Sequence, residues 1–206
     1  MTQLLHIHPT HPQARLINQV VAVLQQGGVI AYPTDSAYAL GCHLGDKNAL
    51  ERIKKLRELD KNHNFTLVCQ NLSEIGTYAQ VSNSIFRLLK ANTPGAYTFI
   101  LPASQEVPRR LQHPKRKTIG LRVPDNTIAL EILKALNEPL MSVTLILPGD
   151  AIPLFDPETI LERLQGQVDL IVDGGYCEIE PTTVVDLVEG VAKIIRVGKG
   201  DPAPFQ

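Results

Sequence analysis

A repeated change of hydrophobic period governs what this chain can become. Short apolar runs are separated by longer segments whose apolar residues recur at the helical spacing, and Gly, Pro, Asp or Ser marks most of the changes. From Gln13 to Gln26, Leu16, Val20 and Leu24 with Ile17 and Val21 define one helical face, and Gly27-Gly28 stops the helix. Val29–Tyr32 follows as a buried strand closed by Pro33. Asp46 caps the next helix, with Ala49, Leu50, Ile53 and Leu56 on its apolar face. Phe65–Cys69 reads as a strand, and Ser82 opens a helix carrying Ile85, Phe86, Leu88 and Leu89. Strands at Tyr97–Leu101 and Thr118–Val123 precede a helix at Thr127–Leu136 and a strand at Met141–Leu147. Asp156-Pro157 supplies an N-cap and a first helical proline for a helix to Leu164. Val168–Val172 is a strand, and Thr183–Leu187 with Val191–Val197 form a hairpin turning at Gly190. Strands that alternate with helices and end in a hairpin predict a single α/β domain, a mixed sheet covered by helices.

Composition excludes several classes. The 206 residues carry 20 Lys+Arg against 21 Asp+Glu, with 44% apolar residues, which is globular rather than disordered. No run approaches the roughly 18 apolar residues of a membrane span, and no signal peptide is visible at the start. Cys42, Cys69 and Cys177 have neither disulfide-framework nor zinc spacing, so a reducing, cytoplasmic setting is expected. The small net charge hides an asymmetry. Arg109, Arg110, Lys115, Arg116, Lys117 and Arg122 fall together without an acid, whereas 156–189 holds nine acids and one base. The basic run is either a solvated loop or a positive field for the phosphates of nucleotide or RNA. It contains no aromatic residue, so base stacking within it is not indicated.

Polar clusters sit at strand ends, where open α/β sheets bind ligands. Pro33-Thr34-Asp35-Ser36-Ala37-Tyr38 is either an Asx-type turn or a set of ligand donors and acceptors. Lys55 and Arg57 are two apart, so both grip one anion only if their helix ends there; otherwise they are solvated cations at a helix C-terminus. Ser142 and Thr144 alternate with Met141 and Val143 and would share one face of a strand. Pro181-Thr182-Thr183-Val184-Val185-Asp186 and Arg196-Val197-Gly198 close the series. P-loop, dinucleotide and nucleophile-elbow signatures are all missing. His6, His8 and His11 lack the partners of a metal site, and His63 reads as a solvated loop residue. Catalysis, if present, must rest on positioning and charge.

In order along the chain, these clusters resemble the YrdC-domain family of threonylcarbamoyl-AMP synthases, most closely its YciO branch. The resemblance runs from about His8 to Pro202 as one domain, with no linker or tail of note. It is carried by Tyr32–Gly41, Lys55-Leu56-Arg57, Asn64–Leu67, Pro94–Leu101, Ile119–Pro124, Asp173-Gly174-Gly175, Pro181–Asp186 and Arg196-Val197-Gly198. It implies a twisted mixed parallel/antiparallel sheet with helices on both sides and a positively charged concave face. It also implies condensation of ATP, L-threonine and bicarbonate to threonylcarbamoyl-AMP and pyrophosphate for tRNA modification. Mg²⁺ would accompany ATP, with no metal held by protein side chains.

The same resemblance implies residue roles. Lys55 and Arg57 match the family's K-x-R and would act on phosphates and carbamate, as catalytic residues. Thr34 and Arg122 would bind threonine, and Ser142, Thr144, Thr182 and Arg196 would bind ATP. Three positions depart from the pattern: Thr144 replaces the Asn of S-x-N, Glu58 the Pro after K-x-R, and Asn64-Phe65-Thr66-Leu67 the usual Asn-Pro-Leu. Family members also bind double-stranded RNA and tRNA, which would engage Arg109, Arg110, Lys115, Arg116 and Lys117. A second reading follows, an RNA-binding protein that keeps the fold without efficient catalysis.

Overall fold

Alternating side chains give the strands two unlike faces, and one face must be covered by each helical layer. In the computed structural model, which describes residues 1–60 and 62–206, the chain order is β1 (Gln3–His6), α1 (Ala14–Gln25), β2 (Ile30–Tyr32), β3 (Ala39–His43), α2 (Lys47–Arg57) and β4 (Thr66–Val68). It continues with α3 (Leu72–Tyr78), α4 (Asn83–Ala91), β5 (Tyr97–Pro102), β6 (Thr118–Arg122) and α5 (Thr127–Leu136). The remainder is β7 (Leu140–Thr144), α6 (Pro157–Leu164), β8 (Leu170–Asp173), β9 (Thr183–Asp186) and β10 (Lys193–Arg196). Asp46, Asn71, Ser82, Asn126 and Asp156 each accept a first-turn backbone N–H, so their helices start where a short polar side chain can cap them.

All ten strands of the described residues join one mixed sheet, in the order β1-β8-β2-β3-β7-β4-β6-β5-β9-β10. The closing hairpin β9–β10 is antiparallel, whereas β5 lies parallel to β9 and β4 parallel to β6. One face carries Leu40, Leu67, Phe99, Leu121, Met141 and Val185 and is buried beneath α2, α3, α4 and α6. The other face carries Ile30, Tyr32, Ala39, Val68, Leu140 and Leu170, and there α1 and α5 pack against one another and the sheet. Those two helices cover only one end of their face. The floor made by β4, β6, β5 and β9 is left open beside them.

Three elements were not legible as strands or helices in the sequence: β1, β3 and α3. The four-residue β1 alternates only briefly, and β3 is nearly continuous small and apolar residues, Ala39-Leu40-Gly41-Cys42-His43. The seven-residue α3 contains Gly76, a weak helix former. The ordered fold also runs past both ends of the 8–202 span. β1 pairs parallel with β8, and Phe205 is buried against Tyr97 and Phe99. No described helix is long and apolar enough to cross a membrane.

Candidate functional site

Register decides the floor of the open face. Thr66 pairs with Ser142 on one side and Gly120 on the other, Ile100 pairs with Gly120, and Thr98 with Val184. Residues in register share a face, so Thr66, Thr98, Gly120 and Ser142, with Ile100 and Val184 between them, lie where the opposite face is Leu67, Phe99, Leu121 and Met141. Gly120 is required at this point. A Cβ there would stand 2.8 Å from the Thr66 Oγ1 and 3.1 Å from the Phe65 carbonyl oxygen. Gly41 plays the same part beneath Tyr32, whose ring would meet a Cβ at 2.9 Å. Tyr32 is fully buried, and burial pushes its phenol up to about 12. Its hydroxyl lies 2.8 Å from the Ser142 Oγ, which donates to the Leu40 carbonyl at 3.2 Å. Tyr32 is therefore the donor to Ser142.

Above this floor lies a hollow of about 730 Å³. Arg57, Ser142, Thr144, Thr182 and Arg196 all line it, although they come from α2, β7, the segment before β9, and β10. Arg57 is the last residue of α2, and Glu58 follows in the left-handed conformation at φ 50°. Its Nη1 donates to the Ile146 carbonyl, while its buried Nε meets no partner among the described residues. Across the hollow, Arg196 clasps Thr182, donating from Nε and Nη2 to the Thr182 carbonyl at 3.1 and 2.9 Å. The Thr182 Oγ1 lies 2.8 Å from that of Thr98. Asp60 is the one carboxylate among the described lining residues, so two guanidiniums set the sign of the field. Ile146, Ile152, Ile179 and Ile195 form an apolar rim.

The other expected residues lie elsewhere. Lys55 is still helical, exposed, and outside the hollow, because α2 continues one residue beyond Leu56 and turns it to another side. Thr34 closes its own turn: its Oγ1 donates to the Ala37 carbonyl at 2.6 Å and accepts the Ser36 N–H at 3.1 Å. Arg122 is buried on the continuation of the floor beyond Gly120, where its Nη2 pairs with Asp35 and its Nη1 donates to the Ser36 Oγ at 3.4 Å. Its Nε is buried without a partner among the described residues. Neither residue lines the hollow.

The fold disperses the basic run. Arg110 donates to the carbonyls of Leu44 and Gly45, and Arg116 pairs with the largely buried Asp186 at 2.6 Å. Arg109 and Lys117 line a second hollow, of about 670 Å³, with Ser104, Gln105 and Gln112. Lys115 is exposed nearby in sequence. His6 pairs with Asp173 at 2.6 Å, and the His8 Nδ1 accepts backbone N–H groups from Thr10 and His11. No group of three metal-ligating side chains occurs among the described residues. The hollow likewise offers Mg²⁺ no carboxylate pair. Its residues fit an ion carried in on phosphates rather than one caged by protein.

Sequence reasoning gave no site role to Tyr32, Thr66, Thr98 or Gly120 and read His63 as a solvated loop residue, whereas Asp60, Asn62, His63 and Asn64 all line the hollow. The signal for the floor was available as alternation: polar or small residues at 66, 98, 120, 142 and 144 against apolar neighbours. A loop of Asp, Asn and His carries no such period.

A family model named for Sua5, YciO and YrdC, and described as telomere recombination, matches residues 22–198. A protein of Haemophilus influenzae described as uncharacterized is 61% identical over 206 residues, covering both chains completely. The crystal structure of E. coli YciO superposes with a TM-score of 0.97 at 56% identity, again covering all of both chains. That of P. abyssi Sua5 complexed with L-threonine superposes with a TM-score of 0.88 at 24% identity, over 96% of this chain and 58% of the other. At that identity the likeness is one of fold.

Proposed function

The chain belongs to the Sua5/YciO/YrdC family, and from that premise we propose that it binds ATP in the hollow between Arg57 and Arg196 and makes threonylcarbamoyl-AMP from ATP, L-threonine and bicarbonate. One observation carries this reading: Arg57, Ser142, Thr144, Thr182 and Arg196, widely spaced in sequence, line a single cationic cavity. That P. abyssi Sua5, which shares the fold, crystallises in complex with L-threonine supports the choice of acceptor.

The chemistry asked of the site is modest. A carbamate oxygen attacks the α-phosphorus and pyrophosphate leaves, so the protein must bring two anions together and stabilise the charge that moves. Arg57 and Arg196 supply that charge from opposite sides. Thr144 offers a hydroxyl, whereas the Ser142 proton is already given to Leu40 and leaves only an acceptor. The isoleucine rim gives the adenine an apolar seat. Mg²⁺ arriving with ATP supplies further neutralisation of its phosphates. Thr34 and Arg122, just beyond the hollow, would meet threonine only if the Asp35 pairing opens. Three free thiols agree with a cytoplasmic site of action.

The test is to incubate the pure protein with ATP, L-threonine and bicarbonate and to follow pyrophosphate and the adenylate by mass spectrometry. Threonine-dependent product is expected, and its absence rejects the reading. A second reading, RNA binding without efficient catalysis, is favoured by the exposed cations Arg109, Lys115 and Lys117. RNA that binds with a steep salt dependence while no adenylate forms would select it.

A further inference from the structure

Three consecutive carbonyls of the Pro33–Tyr38 turn are held from outside the turn. The Thr34 carbonyl accepts the Cys177 thiol at 3.7 Å, the Asp35 carbonyl the Lys199 ammonium at 2.6 Å, and the Ser36 carbonyl the Glu178 N–H at 3.0 Å. Cys177 and Glu178 belong to the segment 174–181, which joins β8 to β9. Tyr38 anchors its start, its hydroxyl accepting the Gly174 N–H at 3.3 Å and donating to the Gly175 carbonyl at 2.8 Å. The Lys199 N–H fixes its end by donating to the Pro181 carbonyl at 2.9 Å. Lys199 therefore reaches Asp35 from an anchored backbone, and its ammonium also pairs with Glu178 at 2.9 Å.

The side chains of the same turn meet Arg122. Asp35 takes the Arg122 Nη2, and its second carboxylate oxygen accepts the Asp125 N–H at 2.9 Å. The Ser36 Oγ accepts from Nη1 at 3.4 Å, and Nε is left without a partner among the described residues. Nε and Nη2 form one edge of a guanidinium, which a carboxylate grips with both oxygens. Asp35 fills half of that edge, so an amino-acid carboxylate can take it only after Asp35 moves. Whatever fixes the Asp35 backbone also fixes its hold on Arg122.

We infer that Lys199 is a positioning residue of the acceptor site: its ammonium holds the 34–36 turn against Arg122, and the amino acid binds when that hold loosens. The inference rests on the proposed use of L-threonine, and adds that the empty site is closed by its own carboxylate. A site that is open part of the time binds more weakly in proportion to the open fraction. Removing the ammonium raises that fraction and tightens threonine binding, whereas losing a merely structural contact would weaken it.

The experiment titrates L-threonine into wild type, Lys199→Ala, Lys199→Met and Lys199→Arg by calorimetry, and follows alkylation of Cys177 in the same proteins. Cys42 and Cys69 are fully buried, so the folded protein reports Cys177. Lys199→Ala and Lys199→Met should bind L-threonine about three- to tenfold more tightly, between the effects of an exposed ion pair and of a charged hydrogen bond. Lys199→Arg, which keeps the charge, should stay near wild type. Alkylation should be faster in the Ala and Met variants. Burial pushes the Cys177 thiol up to about 11, and the Lys199 charge opposes this, so losing that charge alone would slow the reaction. Unchanged or weaker threonine binding overturns the inference, and so does unchanged or slower alkylation; adenylate formation by wild type would then leave the proposed function standing. If wild type binds no L-threonine, the proposed acceptor falls and this inference with it. Thermal unfolding identifies a variant that fails to fold, and the other neutral substitution then decides.

Discussion

Arg57 offers the sharpest perturbation. One of its N–H groups is committed to the Ile146 carbonyl, and its Nε is buried with no described partner, so the guanidinium already bears a desolvation cost that a ligand anion would repay. A hydrogen bond to a charged group contributes roughly 1.5–3 kcal/mol. With 1.4 kcal/mol per decade, Arg57→Ala should weaken nucleotide binding by about 10- to 150-fold. Stability should change little, because freeing the Ile146 carbonyl and removing the unpartnered Nε act in opposite directions. Arg57→Lys keeps the charge but cannot hold Ile146 and a phosphate at once, and should fall between. Lys55→Ala, outside the hollow, should cost at least about fivefold less than Arg57→Ala. The assay is calorimetric titration with a non-hydrolysable ATP analogue at one ionic strength, with thermal unfolding as control. Binding within about twofold of wild type in Arg57→Ala would refute the reasoning, since Arg196 is the one other described cation lining the cavity.

The remaining predictions concern stability and RNA. Asp35 and Arg122 have side chains only 7% and 9% exposed, so Asp35→Asn strands a buried charge and should cost about 3–5 kcal/mol, or about 6–20 °C in Tm. Asp35→Asn/Arg122→Met should lose much less, and equal losses in thermal unfolding would contradict a coupled pair. Burial raises the carboxyl of Glu74, so its folded value lies above its unfolded one. The protonated form favours folding below pH 4.5, and that contribution is lost as pH rises through the folded value. Glu74→Gln, which keeps an acceptor for the Gln70 N–H, should therefore raise Tm at pH 7 and lose the gain below pH 4.5. Neutralising Arg109, Lys115 and Lys117 together should cut the salt slope of RNA binding by roughly two to three. Arg116→Ala should instead lower Tm by freeing the largely buried Asp186, and a slope change without destabilisation would argue against that pairing.

Five of the six described α-helices, all but α3, were legible because caps and apolar spacing are local. Asp46, Ser82 and the Asp156-Pro157 pair mark starts that the fold keeps. β3 was not, since Ala39-Leu40-Gly41-Cys42 is shielded on both faces and shows no alternation. Arg57 and Lys55 show the same limit at the site. Spacing names both, but only the helix end, set by Glu58 in the left-handed conformation, decides which one reaches the cavity. Arg110 and Arg116 look like members of one positive patch until their partners at 44–45 and 186 become neighbours. Those partners are distant in sequence, as are the strands whose register assembles Thr66, Gly120 and Ser142.

The most direct measurement is a crystal structure of the protein with a non-hydrolysable ATP analogue and L-threonine. The phosphates should lie between the Arg57 and Arg196 guanidiniums, over Thr144 and Thr182, with the adenine against the isoleucine rim. An analogue seated instead on Arg109 and Lys117, or nowhere on this face of the sheet, would contradict the account.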